Sequence, residues 1–170
     1  MIVVSDATPL ISLMKANRLD ILEPLFKEVL IPEAVYSELT GNPNYAEEAE
    51  QISSARFIRI VSVKEQKVVD VLRRSSGLDL GESEAIVYAD DNKADVLLMD
   101  EARGRQVARA MGIYIMGTVG VLLFAHEEKL MSGAEIEAAL HQMKEAGRHI
   151  GDEIIKYALS KLKEQKNAPA

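Results

Sequence analysis

The chain has 170 residues, of which 48% are hydrophobic, and its formal net charge is −7. This length can bury one hydrophobic core, which predicts a single main domain. Because the sequence contains no cysteine, disulfides, thiolate zinc sites and cysteine nucleophiles are excluded, and a bound metal would be held by oxygen. The acidic balance argues against a broad basic surface for long nucleic acids, but it allows a local basic groove.

The beginning of the chain has no pattern of a targeting or membrane segment. Met1 is followed directly by the apolar residues 2–4, without a basic region before them. No apolar run approaches the roughly 20 residues that a membrane span needs. We therefore expect a cytoplasmic protein with no membrane partner.

Short apolar runs alternate with helical patterns along the chain. Runs of strand length occupy residues 2–4, 29–31, 57–61, 96–99 and 114–116. The first helical pattern begins at residue 9, with Thr8 as its N-cap. Further helical patterns cover residues 32–39, 44–55, 64–74, 82–93, 103–111 and 152–164. Two more begin at residue 118 and at the capping box of Ser132. A loop is predicted between Gly77 and Gly81. This alternation predicts an α/β fold with a mainly parallel sheet covered on both faces.

The end of the chain is expected to form a separate helix. Gly147 and Gly151 interrupt the pattern before an amphipathic segment and a polar tail. We assign residues 1–150 to the main domain and residues 151–170 to a C-terminal helix and tail, packed on the domain or on a partner subunit.

Two aspartates follow buried strands of the predicted sheet. Asp6 comes after the first strand and Asp100 after the strand at 96–99. If these strands are parallel, both carboxylates emerge at the same rim of the sheet, where ligands bind in such folds. The structural alternative is that each aspartate caps the helix that follows it.

Several glutamates can join these aspartates. Glu82 and Glu84 lie in one predicted first turn, where the helix dipole favours a carboxylate with or without a ligand. Glu38 lies on a short helix and Glu101 follows Asp100, so each is either part of the site or ordinary helix surface. Arg103, Arg105 and Arg109 can form a local positive edge for phosphates, or simply a solvated helix face.

Grouped carboxylates predict metal-dependent hydrolysis. Several such groups around one pocket repel each other unless a hard divalent cation lies among them, and magnesium and manganese prefer carboxylate and water ligands. Such ions activate water for attack on a phosphodiester without a protein nucleophile. A phosphatase with an aspartyl nucleophile is a second interpretation of Asp6, but that chemistry usually requires an aspartate two residues later, where Thr8 stands.

Five segments occur in this order along the chain: VSDATPLI (4–11), VYSEL (35–39), GESEAI (81–86), LLMDEARGR (97–105) and GTVGVL (117–122). Together they resemble a PIN-domain protein of the uncharacterised prokaryotic branch related to toxin–antitoxin ribonucleases. The resemblance covers nearly the whole chain. It implies a three-layer α/β/α sandwich with a mainly parallel central sheet.

The resemblance also implies an activity and a site. It suggests an endoribonuclease that uses Mg²⁺ or Mn²⁺, acts on an RNA substrate and forms a homodimer, and it suggests an antitoxin protein as a further partner. Asp6, Glu38, Glu82 and Asp100 match the catalytic acids of the family, and Asp6, Glu82 and Asp100 would hold the metal. Glu84 competes with Glu82, because both lie in the same predicted first turn, and Glu101 and Thr118 are further candidates. Many active members carry aspartate at the position of Glu82. The non-enzymatic alternative is a PIN-like binding or regulatory module with a weakened metal site.

Overall fold

A computed structural model describes the backbone of residues 1–166 and the side chains up to residue 163. Its centre is a sheet of five parallel strands in the order β3-β2-β1-β4-β5. The strands are β1 (Val3–Ser5), β2 (Val29–Pro32), β3 (Ile58–Val61), β4 (Val96–Leu98) and β5 (Ile115–Met116). Every neighbouring pair is parallel, so the expected parallel sheet is confirmed.

Within residues 1–166, ten α-helices flank the sheet, and two short 3₁₀ turns precede α2 and α4. The helices are α1 (Ala7–Lys15), α2 (Leu22–Phe26), α3 (Glu33–Thr40), α4 (Ala46–Ser54), α5 (Gln66–Ser76), α6 (Leu80–Asp91), α7 (Ala102–Ala110), α8 (Thr118–Glu127), α9 (Gly133–Glu145) and α10 (Asp152–Lys166). This arrangement is the predicted α/β/α sandwich. No helix in this part of the chain has the length and apolar character to cross a membrane.

The central strands are buried on both faces. Val3 belongs to the core on one side of the sheet and Val4 to the core on the other, because successive strand residues point to opposite faces. Val4 lies between Leu30 of β2 and Leu97 of β4. A strand that is covered on both sides needs apolar residues at every position, which explains the continuous apolar runs in the sequence.

The order of the strands creates a crevice beside β1. The chain passes from β1 outward to β2 and β3, and then returns to place β4 on the other side of β1. In parallel sheets, ligands bind beyond the carboxyl ends of the strands at such a reversal. The residues that directly follow β1 and β4 therefore lie at the expected position of a site.

Near the site, two helix starts differ from the predicted ones, and elsewhere one short helix was not predicted. Helix α1 begins at Ala7, so Asp6 and not Thr8 is its N-cap residue. Gly81 lies in the first turn of α6 and not in a loop. Helix α2 was not predicted, since five residues are too few to show helical periodicity.

The last helix packs on the same core as α8 and α9. Ala158 and Leu162 of α10 are buried in the core that includes Val3. The division into residues 1–150 and 151–170 stays a prediction.

Leu98→Ala is expected to lower the free energy of unfolding by roughly 2–5 kcal/mol, the range for a leucine truncated in a packed core. Leu98 is completely buried on β4. Leu130→Ala is the matched control, because Leu130 is 43% exposed and should change stability by about 0.5 kcal/mol or less. Urea unfolding of both variants measures the difference, and equal losses would contradict the placement of β4.

Candidate metal centre

Asp6 is held at the carboxyl end of β1 by the neighbouring strand. Its backbone amide donates a hydrogen bond to the Leu98 carbonyl of β4 at 3.0 Å. The residue is only 2% exposed, and Oδ2 of its carboxylate is buried without a hydrogen-bond partner in the described part of the chain. A buried carboxylate oxygen without a partner is energetically unfavourable, so this atom is suited to a ligand.

An acidic cavity of about 300 Å³ opens beside Asp6. Five acids and one hydroxyl line it: Asp6, Thr8, Glu38, Asp79, Glu82 and Glu101. The residues come from four segments of the chain, namely the start of α1, helix α3, the start of α6 and the start of α7. Three members of the predicted quartet, Asp6, Glu38 and Glu82, thus share one cavity.

The start of α6 orients Glu82 through a reciprocal cap. The Glu82 amide donates to Oδ1 of Asp79 at 2.8 Å, and the Asp79 amide donates to Oε2 of Glu82 at 2.9 Å. Gly81 between them leaves room for α3, because a Cβ there would lie 3.2 Å from Oε2 of Glu38. The absence of a side chain at position 81 therefore lets the Glu38 carboxylate approach this turn.

Burial and mutual repulsion raise the pKa values of these acids. Burial raises the pKa of Asp6 to about 7, the backbone amide of Ala7 opposes this, and the charges of Glu38, Asp79 and Glu82 add to the rise. Burial, followed by the charges of Asp79 and Glu82, raises the pKa of Glu38. Burial also raises the pKa of Glu82, with the Asp79 amide opposing it and the Asp79 and Glu101 charges adding to it. The cavity is therefore a site of concentrated negative potential.

The other glutamate of the α6 turn has a different role. Oε2 of Glu84 accepts a hydrogen bond from the Ala34 amide at 3.1 Å, and its Oε1 accepts one from Nε2 of Gln66 at 3.3 Å. Glu84 therefore ties α6 to the start of α3 and is not part of the acidic cavity lining. Of the two competing glutamates, Glu82 is the one that faces Asp6.

Asp100 lies outside this cavity and caps a helix. Its Oδ1 accepts a hydrogen bond from the Thr118 amide at 2.8 Å, and its Oδ2 accepts one from the Thr118 hydroxyl. These hydrogen bonds cap the start of α8. The helix-cap interpretation of Asp100 predicts instead that it caps α7, the helix that follows it in the chain. Asp100 lines a second, larger cavity, which adjoins the acidic one.

Two lining acids were not assigned to the site from the sequence. Asp79 was missed, although Asp79 followed three residues later by Glu82 is the pattern of a capping box. The interpretation of Gly81 as a loop residue hid that pattern. Glu101 was only an alternative candidate, and it lines both cavities.

The donors suit a hard divalent cation. The cavity offers carboxylate oxygens, one of them buried without a partner, and its acids repel each other. Mg²⁺ and Mn²⁺ prefer such ligands. Within residues 1–166, however, no three acidic or histidine side chains are grouped tightly enough to enclose an ion as they stand. The acidic residues are therefore of the ligand type that such an ion prefers, but they are not already arranged as a complete set of ligands.

A comparison with protein families agrees with this architecture. A family model described as a PIN domain (DUF3368) matches residues 2–164. The chain belongs to the PIN-domain family. This confirms the family that the sequence motifs indicate, whereas a search of curated proteins finds no significant match. PIN domains are generally nucleases and typically use divalent metals.

Asp6→Asn is expected to stabilise the metal-free PIN domain at about pH 8. The folded-state pKa of Asp6 is about 7, against an ordinary value of 3.8, so the folded state holds the proton more tightly than the unfolded chain. The contribution of Asp6 to the free energy of unfolding is fully present below about pH 4 and is lost as the pH rises to about 7. Asparagine cannot ionise, so the variant does not lose this stability as the pH rises.

Urea unfolding with a chelator, at about pH 4 and pH 8, tests this expectation. The variant should exceed the wild type by on the order of 1 kcal/mol or more at the higher pH, with a smaller difference at the lower pH. Parallel pH profiles for the two proteins would show that Asp6 does not carry the raised pKa.

Glu82→Gln is expected to abolish the thermal stabilisation by manganese, and Glu84→Gln should retain it. A ligand at 100-fold its Kd adds about 2.7 kcal/mol, which raises the Tm of a domain of this size by roughly 5–10 °C. The two glutamates lie in the same turn, and only Glu82 lines the acidic cavity. Melting curves with and without MnCl₂ measure the effect, and the reverse ranking would assign the ligand to Glu84.

Proposed function

We propose that this PIN domain is a Mg²⁺- or Mn²⁺-dependent endoribonuclease that hydrolyses RNA phosphodiester bonds. The observation that supports it most is the buried, unpartnered carboxylate oxygen of Asp6 in a cavity of five acids. In the family, nuclease activity is general. Metal-dependent hydrolysis needs no protein nucleophile, which agrees with a chain that has no cysteine.

In this proposal Asp6 and Glu82 hold the ion from the acidic cavity, and Asp100 is the third ligand from the adjoining rim. The bound cation would supply a Lewis acid that activates water and offsets the charge of the phosphate. The raised pKa of Asp6 means that binding the ion releases a proton from its carboxyl, so metal affinity should fall as the pH drops below about 7.

Glu38 is assigned the role of orienting the ion or the attacking water. It is more exposed than Asp6, and burial together with the neighbouring acids raises its pKa. A carboxylate that accepts a proton more readily than usual can take one from water at neutral pH. Its position on α3, across Gly81 from α6, brings this group to the same cavity.

The family resemblance extends the proposal to partners. We propose that the protein forms a homodimer in the cytoplasm and acts as the toxin of a toxin–antitoxin pair, with an antitoxin protein as its inhibitor. Residues 1–150 would form the nuclease domain, and residues 151–170 would add a helix and a polar tail.

A second candidate is a catalytically weak PIN-like binding or regulatory module. Two observations favour it. The ligand set is not preformed within residues 1–166, and both carboxylate oxygens of Asp100 are engaged by Thr118. In such a module the acids would serve to cap helices, and RNA or a protein would bind without being cleaved.

Incubation with single-stranded RNA and MnCl₂ should produce internal cleavage that a chelator stops. Asp6→Asn should reduce the rate by about 100-fold or more, the scale for removing one group that stabilises developing charge. Glu84→Gln is the matched control and should cleave like the wild type. Asp100→Asn tests the third ligand in the same assay.

The two candidates separate in one pair of measurements. Saturable manganese binding by calorimetry that Asp100→Asn abolishes would disfavour the binding module, because the metal site of that module is weakened. Cleavage at an unchanged rate in Asp6→Asn would reject the assigned site, because the activity would then come from elsewhere, for example from a contaminating nuclease.

A further inference from the structure

Asp6 and Asp100 follow neighbouring strands, so the backbone places them close to each other. Ser5 of β1 lies opposite Leu98 of β4, and the Asp6 amide donates a hydrogen bond to the Leu98 carbonyl at 3.0 Å. Neighbouring strands are about 4.8 Å apart, and Asp100 follows Leu98 by two positions. The direction of the Asp100 side chain therefore determines whether its carboxylate lies near that of Asp6.

The Asp100 carboxylate is directed at α8. Both of its oxygens accept hydrogen bonds from Thr118, Oδ1 from the backbone amide at 2.8 Å and Oδ2 from the hydroxyl. Asp100 lines the larger cavity of about 860 Å³. The next residue, Glu101, lines both cavities, and its charge raises the pKa of Glu82. The chain thus passes beside the acidic cavity at this point, while Asp100 faces away from it.

The Thr118 hydroxyl stabilises this direction of Asp100. Thr118 is only 3% exposed, and a buried hydroxyl without a hydrogen-bond partner is unfavourable. The carboxylate of Asp100 is the partner that satisfies it. Hydrogen bonds to an ionised group are stronger than those between neutral groups, so the contact holds both side chains.

Gly117 and Arg105 contribute to the same arrangement. A Cβ at Gly117 would lie 2.9 Å from Oδ1 of Asp100 and 3.0 Å from Nη1 of Arg105. The absence of a side chain there lets both groups approach the start of α8. Nη1 of Arg105 donates to the Met99 carbonyl at 2.7 Å. Burial lowers the pKa of Arg105, and the negative charge of Asp100 opposes this, so the two charges attract each other on this side of the rim.

A metal ligand role for Asp100 competes with its role as the cap of α8. Of the three proposed ligands, Asp6 and Glu82 line the acidic cavity, whereas Asp100 does not. No three acidic or histidine side chains in residues 1–166 are grouped tightly enough to enclose an ion. Asp100 can join the other two only if its carboxylate leaves the Thr118 hydroxyl. The loss of that hydrogen bond then opposes metal binding.

We propose that Thr118 is a positioning residue that holds Asp100 away from the acidic cavity in the metal-free protein and thereby lowers the affinity of the site for its metal ion. The start of α8 and the ion compete for one carboxylate. This inference rests on the proposed metal-dependent function, and it adds a residue that determines how readily the ligand set closes.

Calorimetric titration of the metal-free protein with MnCl₂ tests the role of Thr118. Thr118→Val removes the hydroxyl and keeps the backbone amide, so Asp100 is released from its stronger contact. The Kd for manganese should fall about tenfold, the scale of one hydrogen bond to a charged group. Thr118→Ser retains a hydroxyl and should keep the wild-type Kd.

Thr40→Val is the matched control. It removes a hydroxyl that donates to the Tyr36 carbonyl within α3, and Thr40 lines neither cavity. The Kd of this variant should equal that of the wild type. Circular dichroism melting with a chelator checks that all variants fold.

Asp100→Asn shows whether Thr118 acts through Asp100. This variant should weaken or abolish manganese binding, and adding Thr118→Val to it should not restore the affinity, because the carboxylate that Thr118 holds is absent. A general change in the packing of α8 would instead alter the affinity by the same factor in both backgrounds, which would overturn the proposal.

The remaining outcomes separate this inference from the proposed function. A higher Kd in Thr118→Val would overturn the inference, because Thr118 would then orient Asp100 as a ligand. An unchanged Kd would overturn it as well, and manganese-dependent RNA cleavage by the wild type would still support the nuclease. Tighter binding by Thr118→Val without RNA cleavage would support the inference and reject only the nuclease. Absence of manganese binding in every variant would overturn both.

Discussion

The carboxylate of Asp6 is buried at the end of β1, close enough to Glu38, Asp79 and Glu82 for each charge to raise its pKa. Folding brings these groups together, because the sheet order places the end of β1 in the crevice and packs α3 and α6 around it. Without a cation, the folded protein must keep a proton on Asp6 or tolerate a concentrated negative charge. Most features of the site follow from this conflict.

Helix α6 has both a structural role and a functional role. Asp79 and Glu82 satisfy two backbone amides at its start that would otherwise lack partners, and the same two acids line the cavity. The capping geometry therefore restricts the Glu82 side chain before any ligand arrives. Such restriction lowers the entropy that a ligand must remove when it binds.

The fold and the core of the site were accessible from the sequence for a simple reason. Buried parallel strands must be apolar throughout, so the strands were visible as uninterrupted runs, and the acids that end them mark the rim of the sheet. Asp6 was found in this way, whereas Glu38 and Glu82, which lie on helices, were assigned from the family motifs. Local signals of this kind require only neighbouring residues.

What the sequence did not reveal depends on contacts between distant residues. The partner of Asp100 is Thr118, eighteen positions away, and no local pattern tells which helix an aspartate will cap. Arg148 donates a hydrogen bond to Ser12, 136 positions away, and no local pattern predicts this contact between the two ends of the chain. Glu82 and Glu84 were equivalent by position, and only the packing of α3 and Gln66 against α6 separates them.

The double role of Glu82 has a consequence for reading related sequences. A chain that lost catalysis would still benefit from Glu82, because its replacement would remove a helix cap. Asp6 makes no side-chain cap hydrogen bond at the start of α1, and its buried charge opposes folding when no cation is present. Drift in an inactive copy should therefore replace Asp6 first, and an aspartate kept at that position is a better sign of selection for metal chemistry than a kept Glu82.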